Sequence, residues 1–305
     1  MYRTRRHVIM TMDPLHVGTG GYRLGLVDLS IVREPGTNCP KIPGTSLHGT
    51  IRSYAAYLYN KRTCAGPSLS EETKRHCGQP TCPICYTFGY VKGVSSGSKG
   101  VVSINDAQIL FFPVYSMMGP VWVSTVPLVQ EFGFLTDADT ECSWTTMNLE
   151  STSINLGWLM VEVKKTTLTI KGIESPEWNT IKDRIVLVPE SLFSQIVNSN
   201  LEIRTSVSIS PETGAAEDGA LFTHEAIPRS TILWFDVVED DYREQFPKTE
   251  RAYSNEKDNN GDPLGNAWDS PLDVVKAGLQ LAQHLGVGGM GTRGFGRIRV
   301  LNWEV

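Results

Sequence analysis

The sequence predicts an α+β fold, because strand and helix patterns are mixed along the chain without a regular βαβ rhythm. Both ends also have strand patterns, with cations within residues 3–6 and again within residues 293–299. Such ends fit neighbouring strands of one sheet. We therefore interpret residues 1–305 as a single domain with a ferredoxin-like (RRM-type) core. A cysteine-rich insertion at residues 61–100 and a hairpin at residues 202–228 enlarge this core.

The composition is typical of a soluble globular protein, with 40% hydrophobic and 20% charged residues. No apolar run reaches the length of a membrane span, and the first residues lack the apolar segment of an export signal, so we expect a cytoplasmic protein without a membrane partner. The net charge of −5 argues against a uniform coat of nucleic acid, since phosphate binding requires local cations. Any nucleic-acid binding is therefore expected to be confined to local clusters of cations.

A first strand with a basic beginning is predicted at residues 2–12. The N-terminal glycine loop (residues 15–21) follows it and carries His16. Apolar residues alternate in the next strand, residues 26–32, so Asp28 lies on the opposite face, exposed beside the loop. A lone carboxylate on a strand face is more often solvated or paired in a salt bridge than catalytic.

Residues 40–52, Pro-Lys-Ile-Pro-Gly-Thr-Ser-Leu-His-Gly-Thr-Ile-Arg, lead into a helix. Thr45 or Ser46 is expected to cap this helix, and its N-terminus is expected to be open to solvent. The basic side chains near this end are those of Lys41, His48 and Arg52. Together with the free helix-end amides they make a candidate phosphate site. The alternative is an ordinary amphipathic helix whose polar residues face water.

The insertion contains a cysteine-rich segment in which Cys82 and Cys85 are separated by two residues and Cys77 lies five positions before Cys82. This spacing lets three or four sulfurs reach a tetrahedral Zn²⁺, so we predict a structural zinc knuckle. The fourth ligand is Cys64 or His76. Cys64 is preferred because neighbouring residues such as His76 and Cys77 seldom both point inward. A redox pair or disulfides are the alternatives.

Residues 202–228 predict a hairpin, because two strand-like arms flank a Pro-Glu-Thr-Gly turn at residues 211–214. Its small polar tip fits either a protruding functional hairpin or a surface hairpin at a subunit contact. Glu225 lies in the second arm. A long mobile loop is expected at residues 245–269.

A helix is expected to begin at the capping residue Ser270 and to end at Gly286 in a left-handed C-cap. The C-terminal glycine loop (residues 286–296) then leads to a basic strand that contains Arg299. A glycine loop exposes backbone amides, which with nearby arginines make a site for a polyanion backbone. The alternative is a tight turn that binds nothing. The expected contact residues are Gly288, Gly289, Met290, Gly291, Thr292, Arg293 and Arg297.

The run GVGGMGTRGFGRIRV at residues 286–300 resembles the C-terminal glycine loop of the RAMP superfamily, the RNA-binding proteins of CRISPR systems. Residues 16–34, 40–52 and 202–228 are similar to the repeated backbone subunits of Cmr (type III-B) effector complexes. The resemblance covers nearly the whole chain. It implies a RAMP fold in which residues 202–228 form the protruding element called the thumb hairpin.

The resemblance also implies a function. A subunit of this kind polymerises along a guide RNA (crRNA) in several copies as a helical backbone, joins other Cmr subunits, and touches phosphates rather than bases. It cuts paired target RNA at regular intervals, one cut per copy, with Mg²⁺ or another divalent cation. Asp28 matches the aspartate required for cutting, His16 lies in the neighbouring loop, and Glu225 is a weaker candidate. The pattern Pro-Gly-x-Ser-x-x-Gly-x-x-Arg at residues 43–52 matches the family's contact to the guide backbone.

The chemistry expected from the resemblance is attack by the 2′-hydroxyl of a displaced nucleotide on the next phosphate, leaving a 2′,3′-cyclic phosphate. Asp28 would bind the metal or remove the proton, and His16 would orient the phosphate. No Walker loop, Ser-His-Asp set or dinucleotide fingerprint points to another enzyme class. The alternatives are the equivalent subunit of a Csm (type III-A) complex and a non-catalytic scaffold that binds guide RNA.

Overall fold

The structure is a computed structural model that describes residues 2–20, 27–66, 76–92, 96–135, 138–164, 168–217, 220–248 and 267–303. Several parts of predicted features lie outside the described residues, namely 21–26 near the N-terminal glycine loop, 67–75 and 93–95 of the insertion, 218–219 of the hairpin and 249–266 of the long loop. None of the described helices combines the length and the apolar character needed to cross a bilayer.

The helices are α1 (Gly44–Leu58), α2 (Pro83–Phe88), α3 (Val126–Glu131), α4 (Pro176–Ile181), α5 (Glu190–Ser199) and α6 (Pro271–Leu285). The strands are β1 (Arg3–Thr11), β2 (Lys41–Ile42), β3 (Gly89–Lys92), β4 (Ser96–Lys99), β5 (Val102–Ile104), β6 (Ala107–Val114), β7 (Val121–Ser124), β8 (Trp144–Thr145), β9 (Ser153–Leu156), β10 (Leu159–Glu162), β11 (Ile185–Leu187), β12 (Glu202–Ser206), β13 (Phe222–Ala226), β14 (Ile232–Glu239) and β15 (Ile298–Val300).

A mixed sheet lies at the centre of the part of the chain that the structure describes. Its strand order is β15-β1-β14-β6-β7-β11-β8, with β2 beside β6 and β5 beside β14. Strand β1 pairs antiparallel with β14 on one side and with β15 on the other, whereas β11 runs parallel to β7. The prediction that the two ends of the chain form neighbouring strands is therefore confirmed, as is the mixture of strands and helices.

Alternate residues of β1 enter two separate apolar cores. Ile9 packs in the core that includes α1 and α6, whereas Val8 and Met10 pack in the core on the other face with Trp178 of α4. Helices α1 and α6 approach closely at Gly278, where an added Cβ would lie 2.3 Å from the carbonyl oxygen of Ile51. Glycine is therefore the residue that this helix contact accepts.

The sequence predicts the start of α6 correctly but not the capping of α1. Ser270 begins α6 in a capping box with Asp273, as expected. Gly286 follows α6 with a positive φ of 84°, but its ψ of 175° is extended rather than left-handed helical, because the chain turns directly into the glycine loop. Helix α1 begins at Gly44 without a side-chain cap from Thr45 or Ser46, so that prediction is wrong.

The thumb hairpin contains β12 and β13, which pair antiparallel from Glu202 opposite Ala226 to Ser206 opposite Phe222. An isolated bridge between Ile209 and Ala216 continues the pairing toward the tip. At the base, the segment around Leu29 adds to the outer edge of β13 through a parallel bridge with His224. The hairpin base and the segment of Asp28 therefore form one unit.

Candidate functional site

Asp28 is exposed and is held at the base of the thumb hairpin by Thr223. Its Oδ2 accepts hydrogen bonds from the Thr223 amide at 2.7 Å and from the Thr223 hydroxyl at 2.9 Å. These two bonds lower the pKa of the Asp28 carboxyl, so that it is ionised at neutral pH. Because Oδ2 takes both bonds, Oδ1 is the oxygen available to a cation or a hydroxyl among the described contacts.

His16 is buried beneath the same part of β13. Its Nδ1 lies 2.6 Å from the carbonyl oxygen of Glu225, and since a carbonyl only accepts, Nδ1 carries the proton. In the neutral ring, Nε2 is then an acceptor. Gly18 lies beside that nitrogen, where a Cβ would approach to 2.9 Å. His16 and Asp28 thus contact β13 at positions two residues apart.

Glu225 is buried, and both of its carboxylate oxygens are occupied. Oε1 accepts from Arg33 Nη2 at 2.6 Å, and Oε2 accepts from the Ile31 amide at 3.2 Å. Arg33 in turn donates from Nε to Asn198 Oδ1 at 2.9 Å. These contacts hold the segment of Asp28 against the hairpin, which is a positioning role for Glu225, the residue that the resemblance made a weaker catalytic candidate.

Replacing Glu225 by glutamine is expected to lower the free energy of unfolding by about 3 kcal/mol, because it leaves the half-buried Arg33 guanidinium without its counter-charge. Chemical denaturation measures this loss, and a double-mutant cycle with Arg33→Met is expected to give a coupling energy of about 1–3 kcal/mol. Glu202→Gln is the matched control, since its pair with Arg204 is more exposed and contributes about 0–1 kcal/mol. Unchanged stability in Glu225→Gln would contradict the structural role.

His224 is a site residue that sequence reasoning missed. Its side chain is only 2% exposed, and neither ring nitrogen has a hydrogen-bond partner among the described residues. The ring centroid lies 5.2 Å from that of Phe295 and 6.2 Å from that of His16. Burial, and then the nearby charges of His16 and Arg204, lower the pKa of His224. Side chains alternate along β13, so His224 lies on the face of the strand opposite to that of Thr223 and Glu225. This alternation is the sequence signal that would have indicated His224.

The two glycine loops contact each other directly. Gly289 donates its amide to the His16 carbonyl at 2.9 Å, and Gly296 donates to the Pro14 carbonyl at 2.9 Å. Gly288 has a φ of 85°, and a Cβ there would lie 2.5 Å from the His16 carbonyl oxygen. Only glycine fits this crossing, which places the C-terminal glycine loop beside the loop of His16.

The rest of the C-terminal glycine loop presents its residues to solvent. Gly291–Arg293 form one 3₁₀ turn after Met290, which has a left-handed φ of 63°. Gly288, Gly289, Gly291, Thr292 and Arg293 are exposed, and Met290 is half-buried. The loop therefore offers a glycine-rich surface next to the thumb hairpin, since the Arg293 guanidinium lies 5.5 Å from the Phe222 ring centroid.

The arginines near the C-terminus are in different electrostatic surroundings. Arg297 forms a bidentate pair with Asp13, with Nη2 at 3.1 Å from Oδ1, and Arg299 donates to Glu177 at 2.5 Å. No ion pair of Arg293 occurs among the described residues. An exposed ion pair such as that of Arg297 contributes little to stability, so a phosphate can compete with Asp13 for the guanidinium.

The start of α1 differs from the open phosphate site that the sequence predicted. Asp106 Oδ1 accepts the Gly44 amide at 2.7 Å, and Lys41 Nζ lies 2.6 Å from Asp106 and 2.7 Å from Glu34. The Asp106 carboxylate therefore occupies the position of an anion at the helix end. Ser46 remains half-buried at this end of the helix.

Two further side chains of α1 point toward the insertion. His48 is half-buried, with its ring centroid 5.1 Å from that of Phe88. Arg52 is 6% exposed and donates from Nε to the carbonyl of Cys64 at 2.7 Å. The expectation that Arg52 is an accessible phosphate contact is not met by this buried position.

The cysteine cluster (Cys64, Cys77, Cys82 and Cys85) brings four sulfurs within 4.8 Å of one another. Three sulfur–sulfur distances are 3.7, 3.9 and 3.8 Å. Tetrahedral Zn²⁺ with Zn–S bonds of about 2.3 Å requires sulfurs about 3.8 Å apart, so the cluster has the dimensions to hold such a metal. These distances exceed a disulfide bond, and all four cysteines are free.

His76 does not belong to the cluster of candidate metal ligands, and its Nδ1 accepts a hydrogen bond from the Val91 amide at 3.1 Å. The arrangement favours Cys64 as the fourth ligand. Cys39 and Cys142 lie outside the cluster and are half-buried.

Comparisons with known proteins place these features in context. A family model described as the RAMP superfamily matches residues 8–299. The chain is 30% identical over 249 residues to the CRISPR system Cmr endoribonuclease Cmr4 of Pyrococcus furiosus, covering 74% of this chain and 78% of that protein. It is also 31% identical over 96 residues to a CRISPR system Cms endoribonuclease Csm3 of Methanothermobacter thermautotrophicus, covering 32% and 33% of the two chains.

Solved structures share the fold. A chain of the type III-B Cmr-beta complex bound to cognate target RNA has a TM-score of 0.63 and 15% identity, covering 98% of this chain and 96% of that one. Oligomeric Cmr4 from Pyrococcus furiosus has a TM-score of 0.57 and 20% identity, covering 98% of each chain. At these identities the likeness concerns the fold alone.

Proposed function

This chain belongs to the RAMP superfamily, and on that premise we propose that it is the guide-RNA-binding backbone subunit of a type III-B CRISPR complex that cuts complementary target RNA. The observation that carries the proposal is the attachment of Asp28 to the thumb hairpin through Thr223, beside two glycine loops that contact each other. The similarity to Cmr4 over 74% of the chain, against 32% for Csm3 of Methanothermobacter thermautotrophicus, favours type III-B over type III-A.

The proposed architecture is one RAMP domain over residues 1–305 with a ferredoxin-like core. The packing of two helices on four strands favours this architecture, namely α1 and α6 on β15, β1, β14 and β6. The insertion at 61–100 holds structural Zn²⁺ at the cysteine cluster. The partners are the guide RNA, the target RNA, further copies of the chain in a helical backbone and the other Cmr subunits, in the cytoplasm.

The C-terminal glycine loop supplies the contact to the guide backbone. Its exposed residues carry little side-chain bulk, so a phosphate can approach the backbone amides. Arg293 lies on the Phe222 ring without a carboxylate partner among the described residues, which leaves its charge for a phosphate. Arg297 exchanges Asp13 for a phosphate. This positioning is independent of base identity.

In the proposed reaction, the thumb hairpin displaces one target nucleotide next to Asp28. The 2′-hydroxyl of that nucleotide attacks the adjacent phosphorus, so the O2′–P bond forms and the P–O5′ bond breaks. The Asp28 carboxylate accepts the hydroxyl proton, and the leaving oxygen takes a proton from water. The products carry a 2′,3′-cyclic phosphate and a 5′-hydroxyl.

A divalent cation fits this site as the alternative to proton acceptance by Asp28 Oδ1, because Mg²⁺ in proteins is typically held by one or two carboxylates together with substrate phosphates. When bound, the cation would stabilise the developing negative charge on the phosphate. His16 keeps the loop and β13 together through its bond to the Glu225 carbonyl, and Glu225 holds the segment of Asp28.

The test is a cleavage assay with the assembled complex, its guide RNA and an end-labelled complementary target. We expect a ladder of regularly spaced products whose ends are 2′,3′-cyclic phosphates by mass spectrometry. A target with a single 2′-deoxynucleotide at one displaced position is expected to lose that one cut and to keep the others. Tight binding of the target without a ladder would instead identify a scaffold.

A further inference from the structure

We infer that Arg52 is the positioning residue of the cysteine cluster, where its guanidinium balances the charge of a metal bound by four thiolates and holds the backbone of the ligand residue Cys64. This inference rests on the proposed metal at the cluster. It replaces the contact with the guide backbone that the motif at residues 43–52 implies for Arg52.

The surroundings of Arg52 lack the partner that a buried cation requires. The side chain is 6% exposed, and its recorded hydrogen bonds go to neutral carbonyls, from Nε to Cys64 at 2.7 Å and from Nη1 to Phe88 at 3.4 Å. No carboxylate pairs with it among the described residues. Arginine stays protonated in proteins, and an unpaired buried charge is strongly unfavourable. An anionic group must therefore lie close by.

The cysteine cluster is that group. Four thiolates around a divalent cation carry a net charge of −2, which is also unfavourable in a buried site. The Nε bond of Arg52 attaches it to the backbone of the ligand residue Cys64. One guanidinium therefore reduces the excess charge of the metal centre, while the metal centre provides the counter-charge of Arg52.

Unused hydrogen-bond donors support the same arrangement. Arg52 Nη2 is buried without a protein partner among the described residues, and so is Nε2 of His76. Because His76 Nδ1 accepts from the Val91 amide, the neutral ring carries its proton on Nε2. Both N–H groups belong to residues beside the ligands, since Arg52 bonds to the carbonyl of Cys64 and His76 precedes Cys77 in the chain. Such outer partners orient the ligands and adjust metal affinity.

The consequence for the fold is that the metal centre holds α1 in place. Arg52 follows Ile51, whose carbonyl packs against Gly278 of α6. One turn of α1 is therefore fixed on one side by α6 and on the other by the cysteine cluster. The insertion thus supports the helix whose first turn contacts Asp106.

The test measures zinc affinity of the full-length chain by competition with a chromophoric chelator. Arg52→Gln is expected to bind Zn²⁺ about 10–100-fold more weakly than wild type, and Arg52→Lys, which keeps the charge but not the planar fork, to lie between them. Arg62→Gln, at an exposed arginine of the same insertion, is the matched control and is expected to match wild type. Equal zinc affinity in Arg52→Gln and wild type would overturn the inference.

Two further measurements separate this inference from its rivals. If Arg52→Gln does not fold, Co²⁺-substituted Arg52→Lys is expected to show a shifted thiolate-to-metal absorption band, and a spectrum and affinity identical to wild type would overturn the inference.

The guide-RNA affinity of Arg52→Lys is expected to keep its salt dependence. In folded Arg52→Gln, a salt slope lower by about 1 with unchanged zinc affinity would instead make Arg52 a phosphate contact. Wild-type protein without bound zinc would refute the metal centre. The proposal of RNA cleavage is tested separately, by the ladder of cleavage products.

Discussion

Replacing Asp28 by alanine is expected to lower the rate of target-RNA cleavage by about 10²–10⁴-fold while leaving guide and target binding unchanged. Asp28 is exposed, and its recorded partner is Thr223, so its removal leaves the buried cores intact. Single-turnover cleavage by the assembled complex measures the rate, and a filter-binding or gel-shift titration measures the binding. Loss of cutting with intact binding would distinguish a nuclease subunit from a scaffold.

Asp139→Ala is the matched control for Asp28→Ala. Asp139 is also exposed and also accepts hydrogen bonds from a backbone amide and a side chain, those of Glu141 and Cys142. We expect its cleavage rate to equal that of wild type. Cutting by Asp28→Ala at the wild-type rate would refute the proposed role and leave the scaffold function.

The pH dependence of this effect follows from the state of the Asp28 carboxyl. Its hydrogen bonds to Thr223 lower its pKa, so the reactive ionised form is fully present above the ordinary aspartate value of about 3.9 and is lost only as the pH falls through the lower folded value. Protonation of Asp28 therefore cannot reduce the cleavage rate between about pH 6 and pH 8. A titration seen in that range belongs to another group.

Replacing Cys85 by serine, or removing the metal with a chelator, is expected to lower the melting temperature by about 5–8 °C. The cluster joins the 3₁₀ turn at Cys64 to α2, and a structural zinc site contributes directly to folding stability. A loss of roughly 3–5 kcal/mol corresponds to a shift of this size in a chain of several hundred residues. Differential scanning calorimetry with metal analysis measures both quantities.

Cys39→Ser is the control for Cys85→Ser, because Cys39 is a free, half-buried thiol outside the cluster. It is expected to retain one equivalent of metal and nearly the wild-type melting temperature. A chelator-treated protein that melts at the same temperature as the untreated one would show that the cluster does not stabilise the fold through a metal.

Features with a local signature could be predicted from the sequence. The cysteine spacing indicated the cluster, the cap at Ser270 indicated the start of α6, and alternation indicated that Asp28 is exposed. Each depends on residues close together in the chain, where periodicity and spacing are informative. The family resemblance then supplied the function that these patterns alone left open.

Features that depend on distant partners could not be predicted. Asp106 reaches the Gly44 amide from 62 positions away, so the sequence around α1 indicated an open helix end. Arg52 has the residue type of a phosphate contact, and only the tertiary position of Cys64 reveals its burial. Arg33 and Glu225 are 192 positions apart and pair only in the folded chain.

In the proposed reaction, the bond between Asp28 and Thr223 attaches the carboxylate that accepts the proton to the hairpin that displaces the nucleotide. If the thumb hairpin tilts as it contacts a duplex, Asp28 moves with it. The distance between the hairpin and the phosphate to be cut would then be constant within one copy. The proposed spacing between successive cuts is then set by the length of one subunit and does not depend on the base sequence of the target.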